Sequence, residues 1–164
     1  MAITGVKTLV ERANKEITTH SPAEALSRQS GGAVLVDIRD VRELNREGRI
    51  EGAVHAPRGM LEFWFDPESP YHKEVFAQDR EYILFCAAGW RSALATKSLK
   101  DMGFENIAHI DGGFGALRDG GATILEKPDK SWTARRGCAV DSRSSTVRHP
   151  VARPSALLGL LPWH

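Results

Sequence analysis

Three short apolar runs, Ala33-Val34-Leu35-Val36-Asp37-Ile38, Tyr82-Ile83-Leu84-Phe85 and Ile107-Ala108-His109-Ile110, are separated by stretches of helical periodicity. That order restricts the fold more than any other feature of the chain. Each run is too short for a buried helix and carries β-branched or aromatic residues, as a strand covered on both faces does. Strands that alternate with helices imply an α/β fold with a central parallel sheet flanked by helices on both faces.

The intervening segments fit this reading. Val6, Leu9, Val10, Ala13 and Ile17 form the apolar stripe of an amphipathic opening helix. Ser21-Pro22-Ala23-Glu24 reads as a capping box with proline at the first helical position, opening a helix through about Arg28. Val41 to Glu47 reads as helix stopped by Gly48, and Ala53-Val54-His55 as a short strand closed by Pro57. Gly59 to Ala77 has helical patches broken by Pro67 and Pro70. Ala95, Leu99 and Met102 give the stripe of a helix from about Trp90, capped by Gly103, and Ile107 to Ile110 is taken as the last strand. Gly112-Gly113 is a turn, and Phe114 to Arg118 a short helix.

With 164 residues, 41% hydrophobic and 26% charged, the chain can bury one sizeable core, and its net charge of +1 gives no field that would gather nucleic acid. The start has no basic segment ahead of an apolar one, and no apolar run approaches the roughly 18 residues of a membrane span, so a cytoplasmic protein without membrane partners is expected. Residues 1–126 read as the folded domain. Residues 127–164 lose periodicity and accumulate Ser, Pro and Arg, which reads as a basic flexible tail ending in an apolar patch from Ala156 to Trp163.

Chemistry concentrates at Cys86, which ends one strand and is followed by Ala87-Ala88-Gly89-Trp90-Arg91-Ser92 and a helix. Unpaired N–H groups at a helix start carry partial positive charge and stabilise a thiolate in their cradle. Ala87, Ala88 and Gly89 are small enough for backbone amides to converge on one point, and Arg91 adds a fixed charge that can hold the loop carbonyls. A nucleophilic cysteine is the expectation. Cys138, among polar and basic residues, reads as exposed and incidental. The six histidines show no metal-ligand spacing, and His55 and His109 read as strand residues with local hydrogen bonds. The charged faces from Glu43 to Glu47 and from Lys97 to Asp101 read as solvated.

Over about Ile17 to Ala122 the sequence resembles the rhodanese family of sulfurtransferases. Three ordered signatures carry the resemblance: Leu35-Val36-Asp37-Ile38-Arg39 continuing through Glu43 to Gly48-Arg49-Ile50-Glu51-Gly52-Ala53-Val54-His55-Ala56-Pro57; Cys86-Ala87-Ala88-Gly89-Trp90-Arg91-Ser92; and Met102-Gly103-Phe104 through Asp111-Gly112-Gly113-Phe114. The resemblance implies a rhodanese-like fold and a Cys86 persulfide that moves sulfane sulfur from thiosulfate or a persulfide to cyanide or a thiol. It calls for no cofactor or metal. A loop of six residues from Cys86 to Arg91 is similar to the sulfur-transferring members, while related dual-specificity phosphatases have one more. Asp37 and Arg39 are implied to shape the pocket rim around the loop, and Trp90 is either core packing or a pocket wall. Positions 87 and 88 are alanine where thiosulfate-specialised members often carry basic residues, so a catalytically weak sulfur-relay or regulatory binding module, serving a partner protein, is the alternative.

Overall fold

The computed structural model describes residues 3–126; the readings made for the tail, Cys138 and the apolar patch lie outside the described residues. The elements are α1 (Val6–Glu16), β1 (Thr18–His20), α2 (Pro22–Ser30), β2 (Val34–Asp37), α3 (Val41–Glu47), β3 (Arg49–Ile50), β4 (Val54–His55), α4 (Leu61–Phe65), β5 (Tyr82–Phe85), α5 (Trp90–Asp101), β6 (Ile107–Ile110), α6 (Gly113–Asp119) and β7 (Ile124–Leu125). Short 3₁₀ turns cover Arg58–Met60 and Glu74–Phe76. The main sheet is parallel throughout, in the order β1-β6-β5-β2-β4. The expected α/β architecture is therefore what the chain adopts.

Strand parity sorts the core into two layers. Leu35, Ile83, Phe85 and Ile110 pack on one face with Ala25, Phe114 and Leu117, while Val36, Leu84 and Cys86 pack on the other with Leu61, Phe65, Ala95 and Leu99. Successive side chains alternate across a strand, so Cys86 falls on the face covered by α4 and α5. Phe65 stacks on Phe76 at 4.2 Å between centroids and meets Tyr82 and Phe104 edge to face, closing the end of that layer.

The local rules read from the sequence account for the helix starts. Ser21 Oγ accepts from Glu24 N–H, and Glu24 reaches back to the Ser21 N–H at 2.8 Å. Asp40 and Glu43 form a second such box at the head of α3. Three strands were not read from the pattern. β1 is a three-residue polar strand, and β3 and β7 pair antiparallel over two residues each, so Ile107–Ile110 is not the last strand. In α1 only Val10 and Ala13 are buried, and Val6 and Leu9 of the apolar stripe stay exposed. Met102, expected on the buried stripe of α5, is also exposed.

Candidate active site

The carboxyl ends of parallel strands form the ligand crevice of such a sheet, and Cys86 sits at one of them, directly after β5. Gly89 adopts φ +94°, a left-handed conformation open to glycine, and turns the chain into α5. The turn folds the loop back over its own cysteine. Gly89 N–H donates to Cys86 Sγ at 3.2 Å, and the Ser92 hydroxyl lies 3.7 Å from the same sulfur. Because the first N–H groups of a helix have no carbonyl partner within it, the sulfur also lies at the positive end of α5. Cys86 is 2% exposed, and of the residues that follow it Ala87 is half-buried and Ala88 exposed.

The loop carbonyls are held from outside. Phe114 N–H donates to Cys86 O at 2.7 Å and Gly115 N–H to Ala87 O at 3.4 Å, both from the first turn of α6. The two peptide oxygens are thereby tied to α6. Gly113 makes the approach possible: at φ +60° it sits so close that a Cβ would lie 2.3 Å from Cys86 O. The Gly112-Gly113 turn is thus part of the site's construction.

Arg91 does not hold the loop carbonyls, contrary to the expectation above. Its guanidinium is taken by Glu43, with two hydrogen bonds of 2.7 and 2.8 Å in fork-to-fork geometry. These bonds keep the Glu43 carboxyl at about 2 and raise Arg91 above its ordinary range, with a smaller contribution from the nearby Cys86 side chain. Glu43 also accepts from Asp40 N–H at 3.0 Å, so one carboxylate caps α3 and locks the head of α5 to it. The reading of Glu43 and Glu47 as solvated fails for a simple reason. Their partners, Arg91 and Arg39, come from elsewhere in the chain.

Asp37 and Arg39 are not at an open rim. They form a buried pair, 2% and 0% exposed, with Arg39 Nη2 to Asp37 Oδ2 at 2.8 Å. Arg39 Nε also donates to Asp37, Nη2 donates to Gly48 O at 2.9 Å, and Nη1 to Glu47 Oε2 at 3.2 Å. None of these bonds goes to the cysteine loop. The guanidinium carbon instead lies 3.7 Å from the centroid of the Phe114 ring, so the pair supports the residue whose N–H grips Cys86 O. Trp90 is half exposed at the head of α5 and belongs to the loop surface rather than to the core. His55 Nε2 meets Arg39 O at 2.9 Å, and His109 meets Thr19 and Ser92.

Ser92, Glu43 and Gly113 belong to the site beyond the residues expected from the sequence. Ser92 had a signal, its position one residue after Arg91 on the first helical turn; Glu43 stood within the first signature, but nothing there pointed to Arg91, 48 residues away, as its partner. Among the described residues no group of His, Cys, Asp or Glu is placed to hold a metal, and no helix is long and apolar enough to cross a membrane. A cleft of about 510 Å³ opens at the other end of the sheet, lined by Phe65, Phe76, Tyr82 and Phe104 among others, but no cysteine or serine faces it.

A parallel α/β sheet with a cysteine cradled between strand and helix defines a class of cysteine-centred domains. A family model, the rhodanese-like domain, matches residues 21–119, and the chain belongs to that family. It is 34% identical over 95 residues to the thiosulfate sulfurtransferase GlpE of Pseudomonas entomophila, covering 57% of this chain and 78% of the relative. It is 31% identical over 99 residues to YtwF of Bacillus subtilis, provisionally named a sulfurtransferase, covering 60% of this chain and 85% of that one. Among solved structures, RPA3614 of Rhodopseudomonas palustris, a protein of unknown function described as a possible tyrosine phosphatase, superposes with a TM-score of 0.72 at 47% identity. The match covers 76% of this chain and 97% of RPA3614.

Proposed function

We propose that this protein is a sulfurtransferase in which Cys86 carries sulfane sulfur as a persulfide. The observation that carries the reading is the loop itself: one backbone N–H at 3.2 Å from Sγ, with the carbonyls of Cys86 and Ala87 bound to α6. Such a cradle stabilises negative charge on sulfur before and after loading. The two named sulfurtransferase relatives support it.

The cycle consists of two displacements. The Cys86 thiolate attacks the outer sulfur of the donor; a sulfur–sulfur bond forms on Cys86, the donor's own bond to that sulfur breaks, and the leaving group departs with the electron pair. From thiosulfate the leaving group is sulfite, and from a persulfide it is a thiolate. An acceptor, cyanide or a thiolate, then attacks the outer sulfur and returns the Cys86 thiolate. Arg91 stays charged throughout because Glu43 holds it, which keeps one fixed cation at the head of α5. No side chain at Ala87 or Ala88 offers charge to a sulfonate, so a persulfide is the favoured donor.

The exposed Ala88 and Trp90 favour a second reading, a relay module that receives sulfur from, or hands it to, a partner protein covering this face. Thiocyanate release from cyanide with thiosulfate and with glutathione persulfide separates the two. Turnover that disappears in Cys86→Ser supports the enzyme, and no turnover with either donor removes it. Hydrolysis of an aryl phosphate dependent on Cys86 would instead support the activity suggested for the Rhodopseudomonas relative.

A further inference from the structure

The sulfur is buried, yet an unbroken line of side chains joins it to the exposed edge of the sheet. Ser92 Oγ lies 3.7 Å from Cys86 Sγ and 3.5 Å from His109 Nδ1. His109 Nε2 lies 3.0 Å from Thr19 Oγ1. Ser92 and His109 are 0% and 2% exposed, whereas Thr19 is exposed.

The topology makes this line. Thr19 and His109 are direct partners in the parallel pairing of β1 and β6, so their side chains share a face. Ser92 stands on the first turn of α5, whose Thr96, one turn on, bonds Ala108 O of the same strand at 3.3 Å. Gly89 O accepts the Ser92 hydroxyl at 3.0 Å and keeps it between sulfur and imidazole. A buried polar chain of this kind costs free energy unless every member is satisfied, and here each has a partner.

We propose that Ser92, His109 and Thr19 form a proton relay between the Cys86 thiol and solvent. Ser92 touches the reacting sulfur; His109 and Thr19 are positioning residues. The relay rests on Cys86 being the nucleophile of the proposed transfer. In the thiol state the S–H faces Ser92 Oγ, the Ser92 hydroxyl turns from Gly89 O to donate to Nδ1, 3.5 Å away, and Nε2–H donates to Thr19. As the S–H bond breaks, its proton passes to Ser92 Oγ and the hydroxyl proton of Ser92 passes to Nδ1, while the electron pair remains on sulfur. Thr19 then takes the Nε2 proton and gives its own to water. The end state has a thiolate accepting from Ser92, Nδ1–H donating to Ser92, and Thr19 donating to Nε2. No oxidant, reductant or metal takes part.

Burial pushes His109 below the usual histidine range, with Asp111 at the end of β6 opposing this and His20 on β1 adding to it. His20 is itself tied to Glu81 at 2.8 Å. An imidazole held neutral suits a relay, because one nitrogen is free to accept while the other donates, whereas an imidazolium held there has no nitrogen free to accept.

The test is the pH profile of Cys86 alkylation by iodoacetamide, which requires no sulfur donor. Ser92→Ala and His109→Asn should each alkylate about tenfold more slowly near neutrality, and Thr19→Val roughly threefold more slowly, with altered profile shape. Profiles of the same shape and rate as the wild type overturn the relay. A second measurement uses the unmutated protein: capping Cys86 with a methylthio group should move the ring ¹⁵N resonances of His109, Nδ1 more than Nε2. Unmoved resonances overturn the relay even if the variants fail to fold. Sulfur uptake with unmoved His109 sinks only the relay, whereas a moved His109 without sulfur uptake sinks only the transferase reading.

Discussion

A methyl group added at Gly113 would stand 2.3 Å from Cys86 O and 2.9 Å from both the carbonyl carbon and oxygen of Ala87. All three are backbone atoms, so none can swing aside as a flexible side chain would. Gly113→Ala therefore combines two costs. The φ of +60° is unfavourable to any residue with a Cβ by about 1 to 2 kcal/mol, and forced overlap in a packed region adds about 1 to 3 kcal/mol. Gly103 separates these terms, since it has φ +100° but nothing within 4 Å of its added Cβ. Gly103→Ala should show the dihedral cost alone. In urea melts Gly113→Ala should lose about 2 to 5 kcal/mol and Gly103→Ala about 1 to 2 kcal/mol, with unchanged m-values. Sulfur loading should also fall in Gly113→Ala, because pushing the Cys86 carbonyl away breaks its bond to Phe114 N–H and rotates the cradle. Equal stability losses in both variants, with loading retained in Gly113→Ala, would refute the role given to this contact.

Asp37→Asn should destabilise the fold by about 3 kcal/mol, because it leaves the buried Arg39 guanidinium with only the partly exposed Glu47 as counter-charge; equilibrium unfolding reads it directly. Glu43 links stability to acid: its folded pKa, about 2, lies below the ordinary 4.5, so the contribution is whole above pH 4.5 and is lost as pH falls toward 2. Glu43→Gln should be less stable than the wild type at neutral pH and should flatten the acid limb of its stability curve between those values. Ala88→Lys should raise the rate of loading from thiosulfate by roughly threefold to tenfold at low salt, and added salt should diminish the gain.

How far the sequence revealed these features depended on distance along the chain. The strands β2, β5 and β6 were legible because four-residue apolar runs bounded by turns have few other ways to fold. The capping box at Ser21 was legible because its partners lie three residues apart. β1 was not, since Thr18-Thr19-His20 has no apolar alternation and pairs only with β6, across about ninety residues. The two-residue strands β3 and β7 fall below the length at which a period can be read. In α1 the stripe reported which side is apolar and not how far the surface beneath it extends, so Val6 and Leu9 were expected inside.

At the site, the cysteine and the small residues after it were visible because loop chemistry is local. Which group binds which was not. Arg91 found Glu43, Arg39 found Asp37 and Glu47, and the loop carbonyls found the amides of α6, each pairing set by how α3, α5 and α6 converge at one end of the sheet. The line from Ser92 to Thr19 needed both a missed strand and a helix face in register. His109 alone, read as a strand residue with local bonds, gave no hint of it.

Whether Cys86 itself holds the travelling sulfur is read by mass spectrometry of the protein after treatment with glutathione persulfide. The expected result is a gain of one sulfur atom located on the Cys86 peptide, removed again by cyanide and absent from Cys86→Ser. A wild-type protein of unchanged mass, or one that gains sulfur at another residue, would contradict it.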